Sequence, residues 1–160
     1  MSSQKEPDTI TVIRTDATNR DFIDLVKSLD TELAERDGIY HPFYSQYNKI
    51  KDIKYVVIAY EDGKPRGCGS IKAYGPDTME IKRMYTSPES RGKGIATLLL
   101  AELEKWTTEL SCKKCILETG RGQPEAIGLY RASGYQDCPP FGTYQHDPLG
   151  LFMTKRLHST

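Results

Sequence analysis

The stretch SPESRGKGIATLLLAEL, residues 87–103, joins two glycines with basic neighbours to a strongly apolar segment. Its apolar residues recur at three- and four-residue spacing, which predicts an amphipathic helix over Ile95–Leu110. Gly92 and Gly94 then lie at the N-terminus of that helix. A helix N-terminus carries unpaired backbone N–H groups and the positive end of the helix dipole, and glycine lets a ligand approach the main chain closely. The stretch therefore predicts an anion-binding turn.

Two better-known phosphate-binding loops are excluded by spacing. The sequence has no G-x-x-x-x-G-K-[ST], and Thr97 stands where the dinucleotide-binding fingerprint has its third small residue. Taken alone, RGKG is more often an ordinary turn before a surface helix than a binding site. The rest of the chain has to decide between these two interpretations.

Length and charge limit the classes of protein to which the chain can belong. It has 160 residues, and its 22 Lys and Arg balance 22 Asp and Glu. This length supports one well-buried core, so we expect a single domain over 9–157 after a polar or disordered tail, 1–8. A net charge near zero argues against nucleic acid as the main partner.

The N-terminus and the hydropathy predict a cytoplasmic protein without a membrane partner. The opening residues MSSQKEPDT are polar and lack the apolar segment of a secretory signal. No apolar run approaches the ~20 residues that a membrane-spanning helix needs.

The cysteines predict neither a metal site nor a disulfide framework. Cys112 and Cys115 have the C-x-x-C spacing of a redox pair or of half a zinc site, but no second such pair or paired histidines complete it. We expect no metal and ordinary thiols at Cys68, Cys112, Cys115 and Cys138. A redox role for Cys112 and Cys115 is left open.

Hydrophobic periodicity predicts an α/β fold. The predicted order is strand, helix, loop, three antiparallel strands, helix, strand, helix and two strands. Such an order predicts a mixed α/β sheet covered by helices. The predicted strands include 9–15, 54–60, 67–75, 78–86 and 114–119, and the predicted helices lie near 22–37, 95–110 and 123–133.

Two motifs resemble those of the GNAT superfamily of N-acetyltransferases, which use acetyl-coenzyme A. Arg91–Ala96 matches the family's [Q/R]-x-x-G-x-[G/A] turn between a strand and a helix. QPEAIGLYRASGY, residues 123–135, matches its A-x-x-[L/Y]-Y helix ending in G-[F/Y], with Gln123 where the family has Asn. Both motifs, spaced correctly around a strand, imply an enzyme with a GNAT-like fold. That α/β fold has a mixed, mostly antiparallel central sheet of about seven strands flanked by about four helices.

The resemblance implies where acetyl-coenzyme A binds as cosubstrate. Backbone N–H groups of the turn would hold its pyrophosphate, which is the anion that the helix N-terminus predicts. The preceding strand would pair its backbone with the pantetheine arm, and an N–H there would stabilise the oxyanion of the reaction. The implied coenzyme contacts are Met84, Tyr85, Thr86, Arg91, Gly92, Lys93, Gly94, Ile95, Ala96, Gln123 and Tyr130.

Two side chains are implied as catalytic. Glu80 is the general base, because an attacking amine has a pKa of about 8 to 10.4 and must lose a proton. Tyr130 is the general acid that protonates the departing thiolate. The residues alone also allow a salt bridge from Glu80 to Lys82 or Arg83 and a core-packing role for Tyr130.

Aromatic residues are implied beside the entrance for the amine. They are Tyr40, Tyr44, Phe141 and Tyr144, with His41 and Phe43 near the first pair. Aromatic rings attract a cationic amine before it is deprotonated.

The leading hypothesis is direct transfer of an acetyl group from acetyl-coenzyme A to a primary amine of a small molecule, in a ternary complex. One alternative is a protein lysine or N-terminal acetyltransferase, and another is a non-catalytic sensor of acyl-coenzyme A. Glu80 and Tyr130 argue against the sensor, which needs neither side chain. The identity of the acceptor, the use of longer acyl groups and a homodimer are left open.

Overall fold

The computed structural model describes residues 9–37, 52–142 and 150–158. Within these ranges the order of strands and helices is the predicted one, and three α-helices are present where about four are expected. The strands are β1 (Ile10–Thr15), β2 (Tyr55–Glu61), β3 (Lys64–Gly75), β4 (Thr78–Thr86), β5 (Lys114–Gly120), β6 (Gln136–Asp137) and β7 (Gly150–Arg156). The helices are α1 (Arg20–Asp37), α2 (Ile95–Glu109) and α3 (Pro124–Ala132), with a 3₁₀ turn at Pro88–Ser90.

All seven strands form one mixed sheet in the order β1-β2-β3-β4-β5-β7-β6, which confirms the predicted fold class. Neighbouring strands are antiparallel except β4 and β5, which run parallel and are connected through α2. Pairing between these two strands covers only Thr78–Ile81 of β4 and Lys114–Leu117 of β5. Both strands continue beyond that pairing, so a gap opens between their C-terminal ends.

A hydrophobic core covers each face of the sheet. The face under α2 and α3 is packed with residues such as Leu99, Leu103, Leu117 and Met153. The face under α1 is packed with Phe22, Val26, Val56 and Ile58. Strand residues alternate between the faces, so the helices bury apolar side chains from both sides. No helix in the described part of the chain could span a membrane.

The cysteines have no disulfide partners, and Cys68 and Cys115 are buried. Burial raises the pKa of the Cys115 thiol to about 11, so it stays protonated at neutral pH. A protonated, buried thiol is a poor nucleophile, and this environment argues against the redox alternative for Cys112 and Cys115.

Helix α2 lies close to β3 because glycine leaves room for it. A Cβ atom added at Gly67 would lie 3.0 Å from Ile95 Cγ2 and 3.0 Å from the Tyr85 carbonyl oxygen. From β1, the Arg14 guanidinium adds an ion pair of 2.7 Å to Glu102 on the same helix. These contacts fix the helix whose N-terminus faces the gap.

We expect Gly67→Ala to destabilise the fold by about 1–3 kcal/mol, the usual effect of overpacking a tight contact, because the backbone oxygen at Tyr85 cannot move aside easily. Urea denaturation measures this change. Gly75→Ala in the same strand is the control, since a Cβ there meets no atom within 4 Å. Equal effects of the two substitutions would contradict close packing of α2 on β3.

Candidate active site

A cavity of about 410 Å³ lies where β4 and β5 separate. Its wall consists of the diverging strand ends, part of α1, the turn before α2 and residues at the start and along one side of α3. Of the predicted coenzyme contacts and catalytic residues, only Lys93 lies outside this wall. The others that line it are Glu80, Met84, Tyr85, Thr86, Arg91, Gly92, Gly94, Ile95, Ala96, Gln123 and Tyr130.

The turn before α2 leaves its backbone accessible. Gly92 and Gly94 have φ values of 81° and 82°, the left-handed conformation that glycine adopts without strain. Gly94 is the N-cap residue of α2, and its lack of a side chain leaves the first turn without a side-chain cap. A Cβ added at either glycine meets no atom within 4 Å. The N–H groups of this first turn lack intrahelical acceptors and are suited to an anionic ligand.

A β-bulge bends β4 away from β5. Cys68 of β3 pairs with Tyr85 and Ser70 pairs with Lys82, so two β4 residues lie opposite the single residue between them. One of these two, Arg83, has a φ of 60°, which is unfavourable for a side chain of this size. A bulge increases local twist and ends regular pairing, which accounts for the gap.

Helix α1 fastens the bulge in place. The side chain of Arg83 is 2% exposed, and its Nη2 donates to Asp30 Oδ1 at 2.5 Å. A buried guanidinium is stable only when it is paired, so this contact holds the strained residue against α1.

A second arginine connects the turn before α2 to its surroundings. Arg91 Nε donates to the carbonyl oxygen of Thr86 at 2.9 Å, and Nη2 donates to Glu32 of α1 at 2.5 Å. Its guanidinium also lies 5.9 Å from the centre of the Tyr85 ring. Arg91 therefore adds positive charge to the cavity wall while it connects the turn to β4 and α1.

Glu80 lies on the cavity wall and is also paired with Lys82. The Glu80 Oε2 and Lys82 Nζ atoms are 3.5 Å apart, and the two side chains are 14% and 12% exposed. Glu80 therefore forms the salt bridge to Lys82 that the sequence allows, and it also lines the cavity. Glu118 of β5 lines the same cavity from the other side of the gap.

Tyr130 packs in the core and also lines the cavity, and the sequence allows both. It projects from α3, is 6% exposed, and its ring meets Tyr135 edge-on at a centroid distance of 5.8 Å. Burial raises the pKa of the Tyr130 hydroxyl well above its ordinary value. The phenol therefore stays protonated at neutral pH and can act as a hydrogen-bond or proton donor.

The predicted acceptor residues are described only in part. Tyr40, Tyr44 and Tyr144 lie outside the described residues, as do His41 and Phe43. Phe141 is described, and its ring lies 5.4 Å from Tyr74 and 4.9 Å from Phe152.

Phe141 and Tyr74 line a second cavity of about 240 Å³, together with Thr78, Ile116 and Thr154. Ile116 is the register partner of Glu80 in the sheet. Glu80 therefore lies next to one wall residue of the aromatic cavity in the sheet.

Several residues of the main cavity are missing from the sequence prediction. They are Leu29, Glu32 and Leu33 of α1, Ile81, Lys82 and Arg83 of β4, Glu118, Thr119 and Gly120 of β5, and Ser90, Thr97, Glu125, Ala126 and Leu129 around α2 and α3. The residues of β5 could have been found, because polar and glycine residues at the end of a parallel strand commonly line a site. Leu29 and Leu33 belong to the hydrophobic stripe of α1, which predicts burial and not a ligand, and no motif distinguishes Glu32 from the other charged residues of the helix.

Comparison with known proteins decides the family. Residues 21–135 match the model of the acetyltransferase (GNAT) family. The chain belongs to the GNAT family. An IAA acetyltransferase of Azospirillum brasilense is 34% identical over 158 residues, which cover 92% of this chain and 98% of the relative. This GNAT chain is an N-acetyltransferase that depends on acetyl-coenzyme A.

Solved structures agree with this fold. A Klebsiella pneumoniae protein assigned to the acyl-CoA N-acyltransferases is 33% identical with a TM-score of 0.74, covering 94% of this chain and 98% of that chain. The PaiA N-acetyltransferase of Thermoplasma acidophilum, solved with coenzyme A, has a TM-score of 0.71 at 20% identity and covers 93% of this chain and 99% of its own. The latter similarity supports the fold alone.

We expect Gly94→Val to weaken coenzyme A binding by about tenfold or more, because a branched side chain would fill the open space above the turn and disfavour its left-handed backbone. Titration calorimetry measures the affinity, and thermal unfolding measures the stability. Gly142→Val is the matched control, since Gly142 has a φ of 80° and open space around its Cβ position but does not line the cavity. Unchanged affinity in folded Gly94→Val protein would contradict anion binding at this turn.

Proposed function

We propose that the cavity between β4 and β5 is where this enzyme transfers an acetyl group from acetyl-coenzyme A to a primary amine of a small molecule. One observation carries the proposal: a single cavity brings together an uncapped helix N-terminus, unpaired strand backbone, a carboxylate and a protonated phenol. Each of these groups matches one requirement of the reaction.

The residues present fit acetyl-coenzyme A. The first turn of α2 offers N–H groups and a positive dipole end to the pyrophosphate, and Gly92 and Gly94 let it approach the backbone. Met84–Thr86 lie past the last β4–β5 pair, so the edge of this segment that faces β5 can bond to the amides of the pantetheine arm. Gln123, the N-cap of α3, adds an amide at the same wall. When bound, acetyl-coenzyme A supplies the thioester carbonyl that the amine attacks.

Glu80 takes the proton of the attacking amine. An ammonium group has no lone pair with which to attack, so a carboxylate at the acceptor end of the cavity allows reaction at neutral pH. As the N–C bond forms and the C–S bond breaks, the amine proton passes to Glu80, directly or through water. The Lys82 ammonium, 3.5 Å away, limits the orientations open to the Glu80 carboxylate.

Tyr130 gives its proton to the departing sulfur. Its burial on α3 keeps the hydroxyl protonated and fixes the ring among packed neighbours. A thiolate whose conjugate acid has a pKa of about 8.5 needs only a well-placed donor. Proton exchange with water then returns Tyr130 and Glu80 to their starting states.

Two observations favour a small acceptor. The aromatic cavity beside Glu80 has a volume of about 240 Å³, which suits a small aromatic or aliphatic group better than a folded polypeptide. The Azospirillum relative is an IAA acetyltransferase rather than a protein acetyltransferase. The faces of Tyr74 and Phe141 can attract a cationic amine before Glu80 deprotonates it.

Release of free thiol from acetyl-coenzyme A across a panel of amines tests this function. We expect turnover with at least one small primary amine and none that requires a polypeptide acceptor. Thermal stabilisation by coenzyme A without turnover on any amine would favour the sensor instead. Turnover only on peptide amines would favour the protein acetyltransferase.

We expect Glu80→Gln to reduce turnover at neutral pH by about 10²- to 10⁴-fold, the usual contribution of a general base. The loss should shrink as the pH rises, because a neutral amine needs no base. The rate of the variant should therefore continue to rise toward the pKa of the amine after the parent enzyme has levelled off. Rate–pH profiles at saturating substrate measure this.

Glu118→Gln is the comparison for Glu80, because it changes a carboxylate on the facing strand of the same cavity. A pH-dependent loss of turnover in Glu118→Gln and not in Glu80→Gln would identify Glu118 as the general base. A loss of the same size at every pH in Glu80→Gln would make Glu80 a group that positions the substrate.

We expect Tyr130→Phe to lower turnover by about 10²-fold or more while coenzyme A affinity stays nearly constant, because the hydroxyl acts mainly as the thiolate leaves. Steady-state kinetics and calorimetry separate the two effects. The control is Tyr135→Phe, since the Tyr135 hydroxyl donates to Glu104 at 2.8 Å and does not line the cavity. Equal losses in affinity and turnover for Tyr130→Phe would assign Tyr130 to binding.

A further inference from the structure

A buried carboxylate outside the cavity holds both sides of the turn before α2. Glu61, the last residue of β2, is 7% exposed. Its Oε1 accepts a hydrogen bond of 2.7 Å from the Ser90 hydroxyl, and its Oε2 lies 2.6 Å from the Lys93 ammonium nitrogen. Burial of a carboxylate is unfavourable unless it is paired and hydrogen-bonded, so these contacts define the position of Glu61.

The β2–β3 hairpin, which carries Glu61, is itself bonded to the segment before α2. A two-residue turn at Asp62 and Gly63 joins the two strands. On the β3 side of the hairpin, the carbonyl oxygen of Arg66 accepts a bond of 2.7 Å from the Ser87 N–H. The Arg66 guanidinium also pairs with Glu89 at 2.5 Å. The hairpin therefore contacts segment 87–93 from its first residue to its last.

Lys93 points its charge at the hairpin. Its side chain is 40% exposed, and its ammonium group meets Glu61 on the sheet. Its neighbours Gly92 and Gly94 line the cavity, whereas Lys93 does not. The chain thus exposes glycine backbone to the cavity on both sides of a lysine that faces away from it.

We propose that Glu61 is a positioning residue for the coenzyme turn and that Lys93 fastens this turn to the hairpin rather than binding phosphate. The inference rests on the proposed placement of the coenzyme's pyrophosphate at the N-terminus of α2. Glu61 holds Ser90 before the glycines and Lys93 between them, so the backbone is preorganised before the ligand arrives. Preorganisation reduces the entropy lost on binding and so raises affinity.

If Glu61 acted only through its charge, its removal would change coenzyme A affinity in the opposite direction. A carboxylate near an anion site repels the anion, so its removal would tighten binding if charge alone mattered. If Glu61 sets the shape of the turn, its removal weakens binding. The direction of the change therefore separates the two roles.

The test measures coenzyme A affinity of Glu61→Gln, Lys93→Met and the double variant by titration calorimetry. We expect each single variant to bind coenzyme A about tenfold more weakly, with turnover at saturating acetyl-coenzyme A within about twofold of the parent. The double variant should bind no more weakly than either single variant, because both substitutions break the same contact.

Glu104→Gln is a closely matched control. Glu104 also accepts from a lysine ammonium, that of Lys155 at 2.9 Å, and from a hydroxyl, that of Tyr135 at 2.8 Å. It does not line the cavity. We expect Glu104→Gln to lower the melting temperature and to leave coenzyme A affinity unchanged.

Unchanged or tighter coenzyme A binding in Glu61→Gln would overturn the inference, whatever Lys93→Met shows. Glu61→Asp carries the test if Glu61→Gln fails to fold, because it keeps the charge and shortens the reach to Ser90 and Lys93; unchanged binding in that variant would overturn the inference. Gly94→Val separates this failure from that of the proposed site. Weak coenzyme A binding by Gly94→Val with normal binding by Lys93→Met would contradict only the positioning role of Glu61 and Lys93. Normal binding by both variants would contradict the proposed binding of the coenzyme at this turn.

Discussion

The pairing of β4 with β5 stops at Ile81 and Leu117, and the candidate site depends on that stop. Past this point β4 is still paired with β3 but has no register partner in β5, and buried backbone groups on that open edge need partners. A ligand with amides of its own can supply such partners, so the gap suits an extended molecule such as the pantetheine arm of the proposed coenzyme. The strained bulge at Arg83 bends β4 away from β5, so the same bulge accounts for the strained backbone and for the open strand edge.

Charged contacts from outside the gap hold its parts in register. Asp30 of α1 pairs with Arg83 on the bulge, and Glu32, about half a helical turn further on, pairs with Arg91 on the turn. From the other side, Glu61 of the hairpin reaches the same turn through Ser90 and Lys93. The phosphate side and the pantetheine side of the proposed coenzyme site are therefore both fixed to α1. This suits a site that must hold a long, flexible ligand in one conformation.

Local features of the sequence predicted most of the fold and many of the residues that line the cavity. Apolar periodicity located the strands and helices, and the glycines at 92 and 94 located the open helix N-terminus, because both signals depend on neighbours in sequence. The direction of the Lys93 side chain, the burial of Glu61 and the place of Glu118 across the gap depend on strand register and on the hairpin. No local pattern encodes those, which is why the sequence does not single out Glu61 and does not show that Lys93 lies outside the cavity wall.

Amide hydrogen exchange with and without coenzyme A tests the central claim most directly, because it reports on individual backbone N–H groups. If the coenzyme occupies the gap, its addition should slow exchange at Met84–Thr86 and in the first turn of α2. Exchange at Thr78–Ile81, already paired with β5, should change little. Coenzyme A binding that leaves Met84–Thr86 and the start of α2 unprotected, or that protects a different part of the sheet instead, would contradict the account.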